Sequence, residues 1–358
     1  MTIEKQLNNI DYKLTGALSY GNQGFNYNST SLDLSELNQY RFEFSEKSND
    51  NKNYSVNNVF DVDLYNSIQK SIDGLKFTEK QTHISDTYRF YDYHGMRVII
   101  PIANWYDFLI INSGKNIFIV SKKNDYSIFV LRDLIKSELE NNKSILFHSA
   151  SIIKDAKSML IIGNKGFGKS TFAFGMADAF DYSLISNDRT YLNQDGSLTS
   201  FPIDIRLGKG TVNNNTKLKE LVSNNTKFSK KFAELGQNDD KITVFPYDIN
   251  QTIPMINGSG NVKLSHLIIP QFDMGLKTGN LHISIPKNIE NIRNIVHENC
   301  LTPDDPIWIR SLLGNDIHSV KDLKDMSEAK IEEMLKSIET YIVKYKNITK
   351  NSKIIKEY

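Results

Sequence analysis

The stretch Ser158–Thr171 constrains the fold more than any other part of the chain. It begins with a short apolar run, Met159–Ile162, which has the length and residue types of a buried strand. The next residues, Gly163–Ser170, fit the pattern G-x-x-x-x-G-K-[ST], which is known as Walker A. The residues after them, Thr171–Phe180, are typical of a helix. A strand, a glycine loop and a helix in this order are the setting in which this pattern binds phosphate, so we expect an α/β fold built around the loop.

Each residue type in this loop has a physical role in binding a triphosphate. The glycines lack a Cβ, so the backbone can turn sharply and point its amides into one small volume. The following helix adds free N–H groups and the positive end of its dipole. Lys169 supplies a charge for the β- and γ-phosphates, and the Ser170 hydroxyl is a ligand for Mg²⁺. The alternative is a glycine-rich turn that binds nothing. We predict that the following residues bind ATP or GTP with Mg²⁺: Gly163, Asn164, Lys165, Gly166, Phe167, Gly168, Lys169, Ser170 and Thr171.

Composition restricts the class of protein. The chain has 358 residues, which is enough for two modest domains or one large one. Its net charge of +1 gives no general attraction to nucleic acid or to an anionic membrane, so neither is an expected partner. The single cysteine, Cys300, excludes an internal disulfide framework and suits a reducing compartment. No apolar run approaches about 18 residues, and the N-terminus lacks the apolar segment of a signal peptide, so we expect a cytoplasmic protein.

The first part of the chain, residues 1–140, has the pattern of a β-rich domain. Residues 88–101 are typical of two strands joined by a turn at His94 and Gly95, and residues 105–111 and 116–121 are typical of a second pair. We interpret the many tyrosines here as sheet packing rather than as a ligand platform. Residues 125–142 have the apolar period of a helix.

Three polar residues outside the loop are candidate catalytic residues. His148 lies on a predicted strand, residues 144–153, which we expect to pair directly with the strand before the loop; a core histidine held by a backbone partner is the alternative. Asp188 ends a second apolar run, and ligands gather at the carboxyl ends of strands in open α/β sheets. Asp188 is therefore a candidate Mg²⁺ ligand or proton acceptor, although an Asn-Asp pair is also typical of a turn. Arg206 stands among flexible glycines and could stabilise a transferring phosphoryl group or form a surface ion pair.

The segments after residue 210 contain fewer candidate functional residues. Residues 211–241 are rich in asparagine and lysine and predict a mobile insertion or a lid with short helices. Residues 263–270 predict a strand and residues 288–300 a helix. Residues 327–345 predict a C-terminal amphipathic helix, whose apolar stripe would serve packing or a homo-oligomer seam. Asp304 and Asp305 stand between two prolines, and we interpret them as helix caps rather than as metal ligands.

Three segments together resemble the HPr serine kinase/phosphorylase family and its looser relatives, some of which are kinases that act on small molecules or on peptides in natural-product pathways. The segments are Leu146–Ser151, Gly163–Thr171 and Leu184–Arg189, and the resemblance covers residues 145–210 best. It implies an HPr-kinase-like nucleotide-binding domain of the phosphoenolpyruvate-carboxykinase type at residues 141–358, after a β-rich domain at residues 1–140. It also implies site roles for His148 and Asp188.

The sequence departs from this family at Asn187. Bifunctional members carry two adjacent aspartates at this strand end, and an amide cannot act as a general base. We expect Mg²⁺- and ATP-dependent transfer of the γ-phosphate to a hydroxyl of a peptide, protein or small molecule. In this hypothesis Ser170 and Asp188 are metal ligands, and His148, Asp188 and Arg206 are catalytic. The alternatives are a nucleotide-binding regulatory or scaffold protein without efficient turnover, and an NTP hydrolase.

Overall fold

The computed structural model describes residues 2–46, 53–83, 86–103, 106–236, 240–256, 262–301, 311–313 and 320–357. The predictions for Trp105, Asp304 and Asp305 lie outside these residues. The protein is mixed α/β and divides into two compact units. Unit 1 comprises Met1–Asn38, Phe42–Glu138 and Pro303–Ile317, and unit 2 comprises Gln39–Arg41, Leu139–Thr302 and His318–Tyr358. Of the described residues after 140, residues 311–313 belong to unit 1.

Unit 1 is built on a sheet, as the alternating pattern predicts. Its helices are α1 Ile3–Leu7, α2 Ser35–Gln39, α3 Val62–Ile72 and α4 Ser127–Asn141. Its strands are β1 Leu14–Tyr20, β2 Gln23–Ser29, β3 Glu43–Ser45, β4 Ser55–Phe60, β5 Thr78–His83, β6 Asp86–Tyr93, β7 Met96–Pro101, β8 Phe108–Ser113 and β9 Asn116–Ser121. Within the described residues they form a nine-stranded sheet in the order β3-β1-β2-β4-β9-β8-β7-β6-β5. The predicted turn at His94 and Gly95 is confirmed, because both residues have the positive φ of a two-residue hairpin turn, 47° and 81°.

A buried carboxylate ties the returning segment to unit 1. Asp133 on α4 is buried and accepts hydrogen bonds from the Ser311 hydroxyl at 3.1 Å and from the amides of Leu312 and Leu313 at 2.9 and 3.0 Å. A buried charge is stable only when such partners replace its lost hydration. Asp133 therefore fixes residues 311–313 against α4.

Unit 2 contains the glycine loop. Its helices are α5 Lys169–Phe180, α6 Lys209–Asn213, α7 Thr216–Asn224, α8 Thr226–Glu234, α9 Pro246–Asn250, α10 Ile289–Asn299 and α11 Val320–Ser337. Its strands are β10 Ile145–His148, β11 Ala150–Lys154, β12 Lys157–Ile161, β13 Ser183–Ser186, β14 Arg189–Leu192, β15 Ser197–Ser200, β16 Ile205–Gly208, β17 Lys241–Val244, β18 Val262–Phe272, β19 Asn280–Ser284, β20 Cys300–Leu301, β21 Glu339–Tyr345 and β22 Lys353–Glu357. Strands β12, β18 and β21 run parallel to one another, so their carboxyl ends lie at one edge of the sheet.

The prediction that the strand of His148 pairs with the strand before the loop is wrong. The predicted strand 144–153 is broken at Ser149, whose amide donates to the Asp188 carbonyl at 3.1 Å. The first half, β10, pairs with β14 and β20, whereas the second half, β11, pairs with β12. The turn between β11 and β12 is confirmed, with positive φ at Asp155 and Ala156.

The predicted C-terminal helix is only half correct. Helix α11 ends at Ser337, and the rest of the predicted helix is strand β21, which pairs in parallel with β18 from Glu339 to Tyr345. The aromatic and β-branched residues of β21 suit a strand, and the ladder with β18 satisfies its backbone. The apolar residues at 341, 342 and 345 therefore belong to the sheet.

The segment at residues 211–241 contains the predicted short helices, but it is not a purely solvated insertion. Leu218 and Leu221 of α7 and Phe228 of α8 are buried in the core that also contains Phe172 and Phe174 of α5. The apolar faces of these short helices bring them onto this core. Separately, none of the helices in the described part of the chain has both the length and the apolar character needed to cross a membrane.

Candidate functional site

The glycine loop joins β12 to α5, as the sequence predicts. Gly166 and Gly168 both have positive φ, 90° and 83°, a region that other residues rarely adopt. Gly168 precedes α5, and no side chain caps the amides of the first turn. The loop therefore presents backbone and a helix N-terminus, which together favour an anion.

The side chain of Tyr345 holds Gly168 in place. The buried Tyr345 hydroxyl donates to the Gly168 carbonyl at 2.8 Å. A Cβ on Gly168 would lie 2.2 Å from the same hydroxyl oxygen, so only glycine fits here without a rearrangement. Strand β21, which the sequence pattern predicts as part of a helix, thus supports the loop.

Other contacts hold the loop at its start. Asn299, buried at the end of α10, donates to the Ile295 carbonyl at 2.8 Å and to the Asn164 side chain at 3.4 Å. Phe167 is partly buried against the second core of unit 2. These contacts fix the loop's position, and the sequence offered no sign of the role of Asn299.

The side chain of Lys169 reaches back to the start of the loop. Its ammonium group donates to the Gly163 carbonyl at 2.5 Å. Burial lowers the pKa of Lys169 to about 8; Asp188 opposes this shift, and the positive charge of Lys241 adds to it. Ser170 and Thr171 follow in the first helical turn, where the Thr171 hydroxyl lies 3.0 Å from that of Thr211.

His148 and Asp188 form a pair beside this lysine. The register of β10 and β14 places His148 opposite Arg189, so the preceding Asp188 lies next to the imidazole. His148 Nδ1 and Asp188 Oδ1 are 3.6 Å apart, with the two side chains 35% and 42% exposed. Burial is the main cause that lowers the pKa of His148; Asp188 opposes it, and Lys169 is among the cations that add to it. The imidazole is therefore neutral at pH 7.

The atoms His148 Nδ1 and Asn187 Oδ1 are buried here and lack a hydrogen-bond partner among the described residues. Leaving such an atom unpaired costs about 1–3 kcal/mol, so a bound group or water is the expected partner. The described residues contain no cluster of three or more His, Cys, Asp or Glu side chains suited to a metal. The Ser170 hydroxyl and the Asp188 carboxylate still fit Mg²⁺, which takes few protein oxygens and completes its shell with phosphate and water.

The two-stranded ribbon β16–β17 carries Arg206 and a cation that the sequence did not single out. Leu207 and Ile242 point from one face into the core, whereas Arg206 and Lys241 are exposed on the other. Within the described residues Arg206 makes no hydrogen bond or ion pair. The charge of Lys241, by contrast, lowers the pKa of both His148 and Lys169. Nothing in the local sequence marks Lys241 as a residue that acts on the site.

A separate cleft of about 1070 Å³ lies in unit 1 and is lined in part by Asp11, Lys13, Asp61 and Asp63. None of its lining residues belongs to the predicted site. Size alone therefore does not identify the chemical centre, and the glycine loop remains the candidate because of its donors and charges.

The structure brings together Lys169, His148 and Asp188, with Ser170 in the adjoining helical turn. Neither the known protein-family models nor the curated proteins give a match to this chain. The function proposed for the protein rests on these residues and their geometry.

Proposed function

We propose that the protein is a cytoplasmic, HPr-kinase-like phosphotransferase in which Gly163–Ser170 is a P-loop for ATP or GTP. The reaction transfers the γ-phosphate to a hydroxyl of a peptide, protein or small molecule. The observation that carries the proposal is the glycine loop between β12 and the N-terminus of α5, together with Asp188, which lies 3.6 Å from His148 and whose charge acts on the lowered pKa of Lys169. A titratable group with a shifted pKa beside a carboxylate is typical of a functional site.

In this proposal the loop holds the phosphates. The amides around Gly166 and Gly168 and the first turn of α5 donate to the phosphate oxygens, and Lys169 moves its ammonium group from the Gly163 carbonyl to the phosphates. Ser170 and Asp188 would hold Mg²⁺, which neutralises charge on the β- and γ-phosphates when bound. The tight packing of Gly168 on Tyr345 keeps the amides in place.

Asp188 carries the proton chemistry. The acceptor oxygen forms a bond to the γ-phosphorus as the bond from that phosphorus to the β,γ-bridging oxygen breaks and the nucleoside diphosphate leaves. Asp188 aligns the hydroxyl, accepts its proton and later releases it to water. Neutral His148, whose Nδ1 lies 3.6 Å from the same carboxylate, is the nearby imidazole that supports the charge in the site. Lys169, with Lys241 within electrostatic reach of it, stabilises charge on the transferring group.

One observation favours a second candidate, a nucleotide-binding protein without efficient transfer. Asn187 is buried next to Asp188 and offers an amide where a second carboxylate would help to bind metal or accept a proton. With one carboxylate in place of two, the site could bind nucleotide and turn over very slowly.

The fate of the γ-phosphate of ATP distinguishes these candidates. We would incubate the protein with γ-labelled MgATP, alone and with a serine, threonine and tyrosine peptide library or a set of free sugars and alcohols. A kinase releases ADP and transfers label only when an acceptor is present, a hydrolase releases ADP without one, and a binding protein does neither. Lys169→Met is the matched control. Label transfer that persists in Lys169→Met, or a wild-type protein that neither binds MgATP nor releases ADP, would overturn the proposal.

A further inference from the structure

Two apolar side chains are exposed beside the glycine loop. Strand β18 ends at Phe272, and Met274 follows in the next turn; they are 42% and 67% exposed. Scattered exposed apolar residues are common on protein surfaces. These two differ because β18 runs parallel to β12, so its carboxyl end lies at the same sheet edge as the glycine loop.

Phe272 is held firmly although it is exposed. Its Cβ lies 3.7 Å from the point where a Cβ on Gly168 would stand, so it adjoins the last residue of the loop. Its ring lies nearly perpendicular to that of Tyr345, at a centroid distance of 5.8 Å. The Asp273 amide donates to the Tyr345 carbonyl, and the Asp273 side chain accepts from the Gly275 amide, both at 2.8 Å. The aromatic face is therefore fixed in place.

The topology puts this aromatic residue and Asp188 at the sheet edge that carries the glycine loop. Strand β13 is antiparallel to β11, and β11 is antiparallel to β12, so β13 and β12 end at the same edge. Asp188 follows β13, and Phe272 ends β18, which is parallel to β12 and pairs with it directly. A nucleotide whose phosphates lie on the loop extends its base beyond them, and Phe272 is an exposed aromatic residue that adjoins the last glycine of the loop.

We propose that Phe272 and Met274 form a shelf for the base of the nucleotide whose phosphates lie on the glycine loop. This rests on the proposed function, and it adds the site that distinguishes a nucleotide from a bare polyphosphate. An aromatic ring and a thioether offer surface for stacking rather than hydrogen bonds to base edges, and stacking is tolerant of base identity. The shelf therefore accepts adenine and guanine with similar affinity.

The test compares MgATP and MgGTP with magnesium tripolyphosphate, which lacks a base. Affinities are measured by calorimetry for the wild type, Phe272→Leu, Met274→Ala and Phe272→Trp. Phe272→Leu retains apolar volume against Tyr345, and Phe272→Trp retains an aromatic face. The control is Ile285→Ala, because Ile285 is 74% exposed and follows β19, which is antiparallel to β21 and so ends at the opposite edge.

We expect the wild type to bind both nucleotides more tightly than tripolyphosphate. Phe272→Leu should weaken MgATP and MgGTP alike, by about fivefold to 150-fold, and leave tripolyphosphate unchanged. Phe272→Trp should restore nucleotide affinity, Met274→Ala should weaken it less, and Ile285→Ala should not alter it.

Two results would overturn the shelf while leaving the loop intact as a phosphate site. One is nucleotide affinity that Phe272→Leu does not change, and the other is an equal loss for nucleotide and tripolyphosphate, which would mean that Phe272 only supports the loop. A wild type that binds neither nucleotide nor tripolyphosphate would overturn the phosphate site itself, and the shelf with it.

Discussion

At the scale of single residues, the chemistry depends on one carboxylate. Asp188 lies 3.6 Å from His148, and its charge opposes the pKa shifts of both His148 and Lys169. Its neighbour Asn187 cannot accept a proton. General-base assistance is typically worth about 10²- to 10⁴-fold in rate.

Asp188→Asn should therefore lower kcat for phosphate transfer by about 10²- to 10⁴-fold. Nucleotide affinity should change much less, because the loop amides and Lys169 supply most phosphate contacts. Rates are measured with saturating MgATP, after circular dichroism has shown an unchanged fold. Asp181→Asn, which removes an exposed carboxylate from the same unit, should retain the wild-type rate. If Asp188→Asn transfers phosphate at the wild-type rate, another residue is the general base, and His148 is the next candidate.

The lowered pKa of Lys169 predicts a pH dependence. Only the charged ammonium attracts phosphate, and it is charged below its pKa of about 8 in the free protein. Nucleotide affinity should fall as the pH rises through about 8, because the ammonium loses its proton there. Because arginine stays charged throughout this range, Lys169→Arg should show a flat profile. Titrations by calorimetry between pH 7 and 10 would refute this assignment if the wild-type profile were also flat.

At the scale of elements, the two positive-φ glycines of the loop should differ in the cost of substitution. Gly166→Ala meets no atom within 4 Å and should cost about 1–2 kcal/mol for its backbone conformation alone. Gly168→Ala carries the same conformational cost and also meets the Tyr345 hydroxyl at 2.2 Å, which adds about 1–3 kcal/mol.

Urea unfolding measures both losses of stability. Tyr345→Phe in the Gly168→Ala background removes the oxygen that the new methyl group would meet, so it should recover part of the loss. Equal stability of the two alanine variants would mean that the Tyr345 hydroxyl does not clash with a side chain at position 168.

The local elements around the site could be predicted from sequence, because their signals are local. The strand, loop and helix at residues 158–180 and the hairpin at His94 and Gly95 each depend on neighbouring residues only. The structure confirms the predicted mixed α/β architecture. The HPr-kinase-like fold and the binding of a nucleotide are proposals.

Other features could not be predicted, because distant residues decide them. The apolar residues at 341, 342 and 345 fit a helical period, and the parallel ladder with β18 makes them a strand. The break at Ser149 depends on a hydrogen bond to the Asp188 carbonyl, and it moves His148 away from β12. Lys241 lies on β17, whose pairing with β16 no local sequence signal predicts.

At the scale of the whole molecule, the chain leaves unit 1 and returns to it, and Asp133 anchors the return. Asp133→Asn replaces a carboxylate oxygen by an amide that donates, so at least one of the Leu312 and Leu313 amides loses its acceptor. A buried unsatisfied group costs about 1–3 kcal/mol. We expect a lower melting temperature and faster proteolysis near residues 311–313. Asp92→Asn, on an exposed ion pair of unit 1, is the control and should change neither. Unaltered cleavage in Asp133→Asn would show that other contacts hold the segment.

The most direct measurement of the central claim is the effect of magnesium nucleotide on thermal unfolding. A ligand at 100 times its dissociation constant adds about 2.7 kcal/mol to the free energy of unfolding, so millimolar MgATP or MgGTP should raise the melting temperature of the wild type clearly. Lys169→Met should lose most of this increase, and Ser170→Ala should lose the part that depends on Mg²⁺. A wild-type melting temperature that neither nucleotide changes would contradict the account of the glycine loop as a nucleotide site.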